Sequence, residues 1–222
     1  MSEIIPRAVL WDMDGVLVDS GEYHHAAWRE TLARENVDFD SALFRSTFGQ
    51  RNDTILRGLF GADLSDAEVA RIADFKELLY RQRITTDGID ALPGVRHWLR
   101  SLQDAGWRQA VASAAPRANV MAILNALDIG AYFNAIASAE DVTRGKPDPQ
   151  VYLTAAARVG TTPARAIVIE DAPAGLEGAR RAGMKCVGVL TGHAQLQADV
   201  VVHRLTDLPA DAFDLLLASS AD

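Results

Sequence analysis

One cysteine in 222 residues, Cys186, leaves no internal disulfide available. The fold must rest on packing alone, and such cysteine usage fits a reducing compartment. Excess basic charge is also missing. Twenty-two Lys and Arg stand against 30 Asp and Glu, a net −8, which argues against general binding to nucleic acid or to an anionic membrane. No apolar run is long enough to span a bilayer, and the first residues show no signal-peptide pattern. The expectation is a cytoplasmic protein. Without G-x-G-x-x-G or a Walker lysine loop there is no nucleotide-binding signature. Without G-x-S-x-G, H-E-x-x-H or C-x-x-C, serine hydrolase, zinc protease and dithiol chemistry lack support. Repeats and low-complexity segments are absent too. The 49% hydrophobic and 23% charged composition is that of a globular protein, long enough for one large domain or two modest ones.

The most informative stretch is Ala8-Val9-Leu10-Trp11-Asp12-Met13-Asp14-Gly15. Its apolar run suits a strand buried on both faces, and Gly15 breaks the chain out of it. Asp12 and Asp14 then fall at the carboxyl end of a central strand, where open α/β sheets bind ligands. Asp19 and Glu22 have capping-box spacing before a helix over about 22–35. Residues 38–64 carry apolar positions at roughly helical spacing, among them Phe39, Phe44, Phe48, Ile55 and Leu59. Ser65 to Glu68 is a second capping box, opening a helix to about Ile84. From residue 90 onward strands alternate with helices: strands near 109–113, 135–138, 166–169, 186–189 and 199–202, with helices between them and a last helix over 210–218. The prediction is an α/β protein, a Rossmann-like parallel sheet with helices on both faces. Residues 1–18 and 88–222 would form the core, and 19–87 an all-helical domain inserted after the first strand.

Three strand ends and one loop carry polar groups: Asp12 and Asp14, Ser113, Glu170 and Asp171, and Lys146 in Gly145-Lys146-Pro147-Asp148-Pro149. Each has a plain structural reading as well. Ser113 suits a helix cap, Lys146 a solvated loop, and Glu170-Asp171 the start of a helix. In a parallel sheet, however, all these ends point the same way. Carboxylate oxygens of this kind suit Mg²⁺, and a lysine and a hydroxyl beside them suit phosphate oxygens.

On these motifs the chain resembles the haloacid dehalogenase superfamily, in the subgroup of β-phosphoglucomutases and sugar-phosphate phosphatases. Asp12-Met13-Asp14-Gly15-Val16, Ser113, Lys146 and Glu170-Asp171 match its four motifs in order, over essentially the full length. The resemblance implies that 19–87 is a cap closing on hinges near 18–20 and 86–88. It implies Asp12 as nucleophile, Asp14 as acid and base, Ser113 and Lys146 as phosphoryl ligands, and Mg²⁺ held by Asp12, Asp14, Glu170 and Asp171. His24 would contact Asp14, while Arg51 and Lys76 match cap positions that reach a second anionic group. Lys76 also suits a snorkelling side chain on its helix, and His25 has no matching role. Where the mutases have a run like Ser-Ala-Ser-Lys-Asn, this chain has Ser113-Ala114-Ala115-Pro116-Arg117, closer to the phosphatases. Ala114 and Arg117 are the substrate-side candidates there. The expected activity is hydrolysis of a small phosphorylated metabolite. A mutase interconverting β-glucose 1-phosphate and glucose 6-phosphate is the alternative, and a phospho-accepting signalling module a remote one. Oligomeric state has no signature in the sequence.

Overall fold

The computed structural model describes residues 5–47 and 49–219. Phe48, counted above among the apolar positions of 38–64, lies outside them. Six parallel strands form one sheet: β1 (Ala8–Trp11), β2 (Arg108–Ala112), β3 (Ala135–Ala137), β4 (Ala166–Glu170), β5 (Lys185–Val189) and β6 (Val200–Val202), in the spatial order β3-β2-β1-β4-β5-β6. β1 is central, in register with β2 through Trp11 and Val111 and with β4 through Trp11 and Ile169. All four of its residues are fully buried, which is why its sequence is continuously apolar rather than alternating.

The nine α-helices of the described residues are α1 (Gly21–Ala33), α2 (Ser41–Thr47), α3 (Asn52–Phe60), α4 (Asp66–Asp87), α5 (Val95–Asp104), α6 (Arg117–Leu127), α7 (Gln150–Arg158), α8 (Pro173–Arg181) and α9 (Ala212–Ala218). The two faces of the sheet carry separate apolar clusters. Val9, Trp11, Val111, Ile167 and Ile169 pack with Trp98, Leu99, Ile123 and Phe213 of α5, α6 and α9. On the other face Ala8, Ala110, Ala112 and Ala137 meet Ala155 and Ala156 of α7 and Ala179 of α8. Alternation along each strand sends successive residues to opposite faces, and the second face adds Leu10, Val168 and Tyr152 to its alanines. Trp98 also donates from its indole to Leu205 O at 2.8 Å, satisfying its one polar atom.

Helices α1 to α4 all lie between β1 and β2. They share an apolar cluster of Trp28, Leu32, Phe39, Ile55, Leu56 and Ile72, and α1 packs along α4. The irregular stretch before Ser65 resolves into two short helices. Ser65 caps α4 as expected, accepting from Glu68 N at 3.3 Å. The capping box expected at Asp19 does not form. Ser20 is the N-cap residue of α1 and makes no side-chain cap; its hydroxyl donates to Asp14 instead. His25, without an expected role, stacks on Phe44 at 4.8 Å. Helix α5 begins at Val95, after Gly94. Gly94 has a φ of +92°, and a Cβ there would press on the backbone of Leu205 and Thr206.

Candidate active site

β1 and β4 are neighbours in register, so their carboxyl ends bring Asp12 beside Glu170 and Asp171. The three carboxylates are buried, with ligand oxygens within 4.8 Å of one another. Lys146, in the loop before α7, lies between them. Its Nζ is 2.5 Å from Asp12 Oδ1 and 2.5 Å from Glu170 Oε1. Tyr152, on the first turns of α7, donates to the same Glu170 oxygen at 2.9 Å. The other oxygen, Oε2, accepts the backbone N–H groups of Asp171 and Ala172, each at 2.8 Å. Glu170 is therefore fully committed to fixing Lys146 and the start of α8. Asp12 and Asp171 keep free lone pairs.

Two glycines make this crowding possible. A Cβ on Gly15, where φ is +82°, would overlap the Asp171 carboxylate, and one on Gly175 would overlap that of Glu170. Thr191 holds the first of these turns by donating to Gly15 O at 2.7 Å.

Burial and mutual repulsion set the protonation of the cluster. Asp12 is pushed up to about 7, by desolvation above all, with Lys146 opposing and Glu170 and Asp14 adding repulsion. Asp171 is pushed up to about 9, by desolvation first and then by Glu170 and Asp12. Lys146 is held well above the usual lysine range: burial opposes its charge, and Asp12 and Glu170 outweigh the burial. Two buried carboxylates whose pKa values are raised by burial and by each other have the chemistry of a divalent-cation site, because a hard cation offsets their repulsion. The donor set and the missing Cβ at Gly15 fit such an ion.

Asp14 faces elsewhere. Its Oδ1 accepts from Ser20 and lies 3.5 Å from His24 Nε2. Burial raises its pKa, but the His24 and Ser20 contacts outweigh that and hold it below the usual carboxylate range. The side chain is thus not part of the acid cluster, and only its backbone remains for a metal. His24 stacks on Tyr80 with ring centroids 4.1 Å apart. Its Nδ1 is 2.8 Å from Lys76 Nζ, which is 2.8 Å from Glu77 Oε1.

The remaining candidates divide. Ser113 is buried at the end of β2, its N–H on Ala137 O and its Oγ accepting from Ala115 N at 3.0 Å. Ala114 follows it, partly buried. Arg51 precedes α3 and packs against the loop of Lys146, close enough that a Cβ on Gly145 would lie 3.1 Å from its Cδ. Its guanidinium bonds Asp53 at 3.2 Å. Lys76 does not snorkel: it is 2% exposed, one turn from both Ile72 and Tyr80 on the buried face of α4, and its ammonium is taken up by Glu77 and His24. Burial still depresses its pKa. Arg117 is turned away from the cluster, onto Asp141 at 2.8 Å and Ile136 O. Sequence reasoning missed Ser20, Glu77, Asn119 and Tyr152. Ser20 sits where a helix cap is the ordinary reading, and the others lie in helices with no motif around them.

Comparison with known proteins agrees with this geometry. Residues 6–183 match the family model described as haloacid dehalogenase-like hydrolase. The β-phosphoglucomutase of Bacillus subtilis is 33% identical over 211 residues, covering 91% of each chain. A validoxylamine A 7′-phosphate phosphatase of Streptomyces hygroscopicus is also 33% identical over 211 residues, covering 91% of this chain and 95% of that one. The crystal structure of a β-phosphoglucomutase from Clostridium difficile superposes with a TM-score of 0.87 at 28% identity, over 97% of this chain and 98% of the other.

Proposed function

The chain belongs to the haloacid dehalogenase-like hydrolases, and from that premise we propose that it is a Mg²⁺-dependent phosphatase acting on a small sugar or polyol phosphate. The observation that carries the reading is one ammonium, Lys146, set between buried carboxylates at the ends of two adjacent strands. Relatives named for a sugar-phosphate mutase and for a phosphatase support the substrate class.

Asp12 and Asp171 would hold Mg²⁺ directly, with the Asp14 carbonyl beside them and Glu170 orienting the site. When bound, the cation offsets the repulsion between a carboxylate nucleophile and the phosphate. Asp12 attacks phosphorus, and the bond to the sugar oxygen breaks as the aspartyl phosphate forms. Lys146 and Ser113 hold the phosphoryl oxygens in place, which is most of what such a transfer requires. Asp14 rests ionised, so the proton it gives to the leaving alkoxide is one that the phosphate monoanion brings. In the second half it takes a proton from the attacking water. The helices of 19–87 act as a cap, with His24 set against Asp14 and Arg51 over the Lys146 loop.

Phosphate release from a panel of sugar phosphates, with Mg²⁺ and with chelator, tests the reading on wild type and Asp12→Asn. Metal-dependent release lost in the variant supports it. Conversion of β-glucose 1-phosphate to glucose 6-phosphate with a bisphosphate primer, and no net release, would make the protein a mutase. Against that outcome stands the bond of Arg117 to Asp141, which takes up the guanidinium that follows Ala114-Ala115-Pro116 in the chain.

A further inference from the structure

Glu77 is a buried carboxylate that the reaction above does not use. It collects donors from three separate places. Lys76 gives its ammonium and Asn52, at the start of α3, its amide, at 2.8 and 2.7 Å to Oε1. Asn119, on α6 of the α/β core, gives its amide at 2.5 Å to Oε2. Asn119 is itself fully buried and accepts from Arg81 at 2.9 Å. One carboxylate therefore joins two helices of the insertion to the helix that follows Ser113. The consequence runs on to Asp14. An ammonium 2.8 Å from His24 Nδ1 donates to it, so the ring proton sits on Nε2, the nitrogen that faces Asp14. With Glu77 removed, Lys76 has no buried carboxylate to fix it, and a buried unpaired ammonium is strongly disfavoured.

We propose that Glu77 is a positioning residue for the proton transfers of Asp14, acting through Lys76 and His24, and that its bond to Asn119 makes that positioning depend on the insertion being seated against α6. The proposal rests on the phosphatase reading. It separates from a merely structural role by leaving-group chemistry. Acetate leaves phosphorus without needing a proton, whereas a sugar alkoxide does not, and kcat/KM reports the steps through transfer to Asp12.

The experiment measures kcat/KM with Mg²⁺ for acetyl phosphate and for glucose 6-phosphate, fructose 1-phosphate and sorbitol 6-phosphate. Wild type, Glu77→Gln and Asn119→Ala are compared, each checked for a cooperative melt. The expected result is a fall of about 10- to 100-fold for the best sugar phosphate in Glu77→Gln, a share of the usual acid–base contribution, with acetyl phosphate changed less than about threefold. Asn119→Ala shifts the same ratio in the same direction. If Glu77→Gln does not fold, the ratio in Asn119→Ala decides. Parallel loss on both substrate types, or no loss on either, overturns the assignment of Glu77. Wild-type protein that releases phosphate from no sugar phosphate overturns the phosphatase reading instead.

Discussion

Lys146 Nζ stands 2.5 Å from Asp12 Oδ1 and as near to Glu170 Oε1, and it lies 5.2 Å above the Tyr152 ring. It is the positive charge that lets Asp12 be buried at all. Lys146→Met leaves both carboxylates without it, and breaking a buried pair in this way costs about 3–5 kcal/mol. The expected outcome is a fall in kcat/KM of at least about 100-fold together with a lower denaturant midpoint for the metal-free protein at pH 8. Lys146→Arg is not expected to restore activity, because the planar fork cannot reproduce a compact ammonium between two acids.

The raised pKa values of Asp12 and Asp171, about 7 and about 9, give the metal-free protein a distinctive pH profile. The folded state binds these two protons more tightly than the unfolded chain does. Their contribution to stability is complete below about pH 4 and is lost as pH rises through 7 and then 9. The melting temperature of the metal-free protein is expected to fall by several degrees between pH 5 and 9. Mg²⁺ should remove most of that slope, and calorimetry should show protons released on binding near pH 7. A metal-free profile that is flat or rises over this range would contradict the arrangement.

Asp12→Asn should separate activity from stability. Removing one carboxylate relieves the repulsion on Glu170 and Asp171 while Lys146 keeps Glu170 as a partner. Turnover is expected to vanish, and the metal-free melting temperature at pH 8 to stay level or rise. A marked drop in that temperature would mean that the Lys146–Asp12 pair outweighs the repulsion.

At Gly15 a positive φ coincides with a contact that no side chain fits. Gly15→Ala strains the turn and displaces Asp171. The expected loss is in Mg²⁺ affinity, about tenfold or more, read as a higher metal concentration for half-maximal activity. The circular dichroism spectrum should be unchanged.

Much of this was visible in the order of residues. A run of four apolar residues ending in Asp12 fixes a two-sided buried strand, and polar residues at the ends of successive strands of a parallel sheet must converge. Other parts are visible only once the chain is folded. Glu77 on a 22-residue helix reads as a solvated charge, and Asn119, 42 residues away, carries no motif that would pair the two. Lys76 beside an apolar stripe reads as a snorkelling side chain, since its partner His24 comes from another helix. Arg117 stands at the place of a substrate ligand, and what turns it away is Asp141, 24 residues further on. Local pattern carries strand ends well and carries contacts between helices poorly.

The insertion leaves and rejoins the sheet at one place. Val18 bridges Ala91 in antiparallel fashion, Leu92 N–H donates to Leu17 O at 2.9 Å, and Gly15 N–H donates to Val18 O at 2.7 Å. The outgoing and incoming segments are thus tied to each other and to the turn that follows Asp12. A rotation about that tie breaks no strand pairing within the sheet. A substitution in that turn therefore acts on the insertion and on the acid cluster at once.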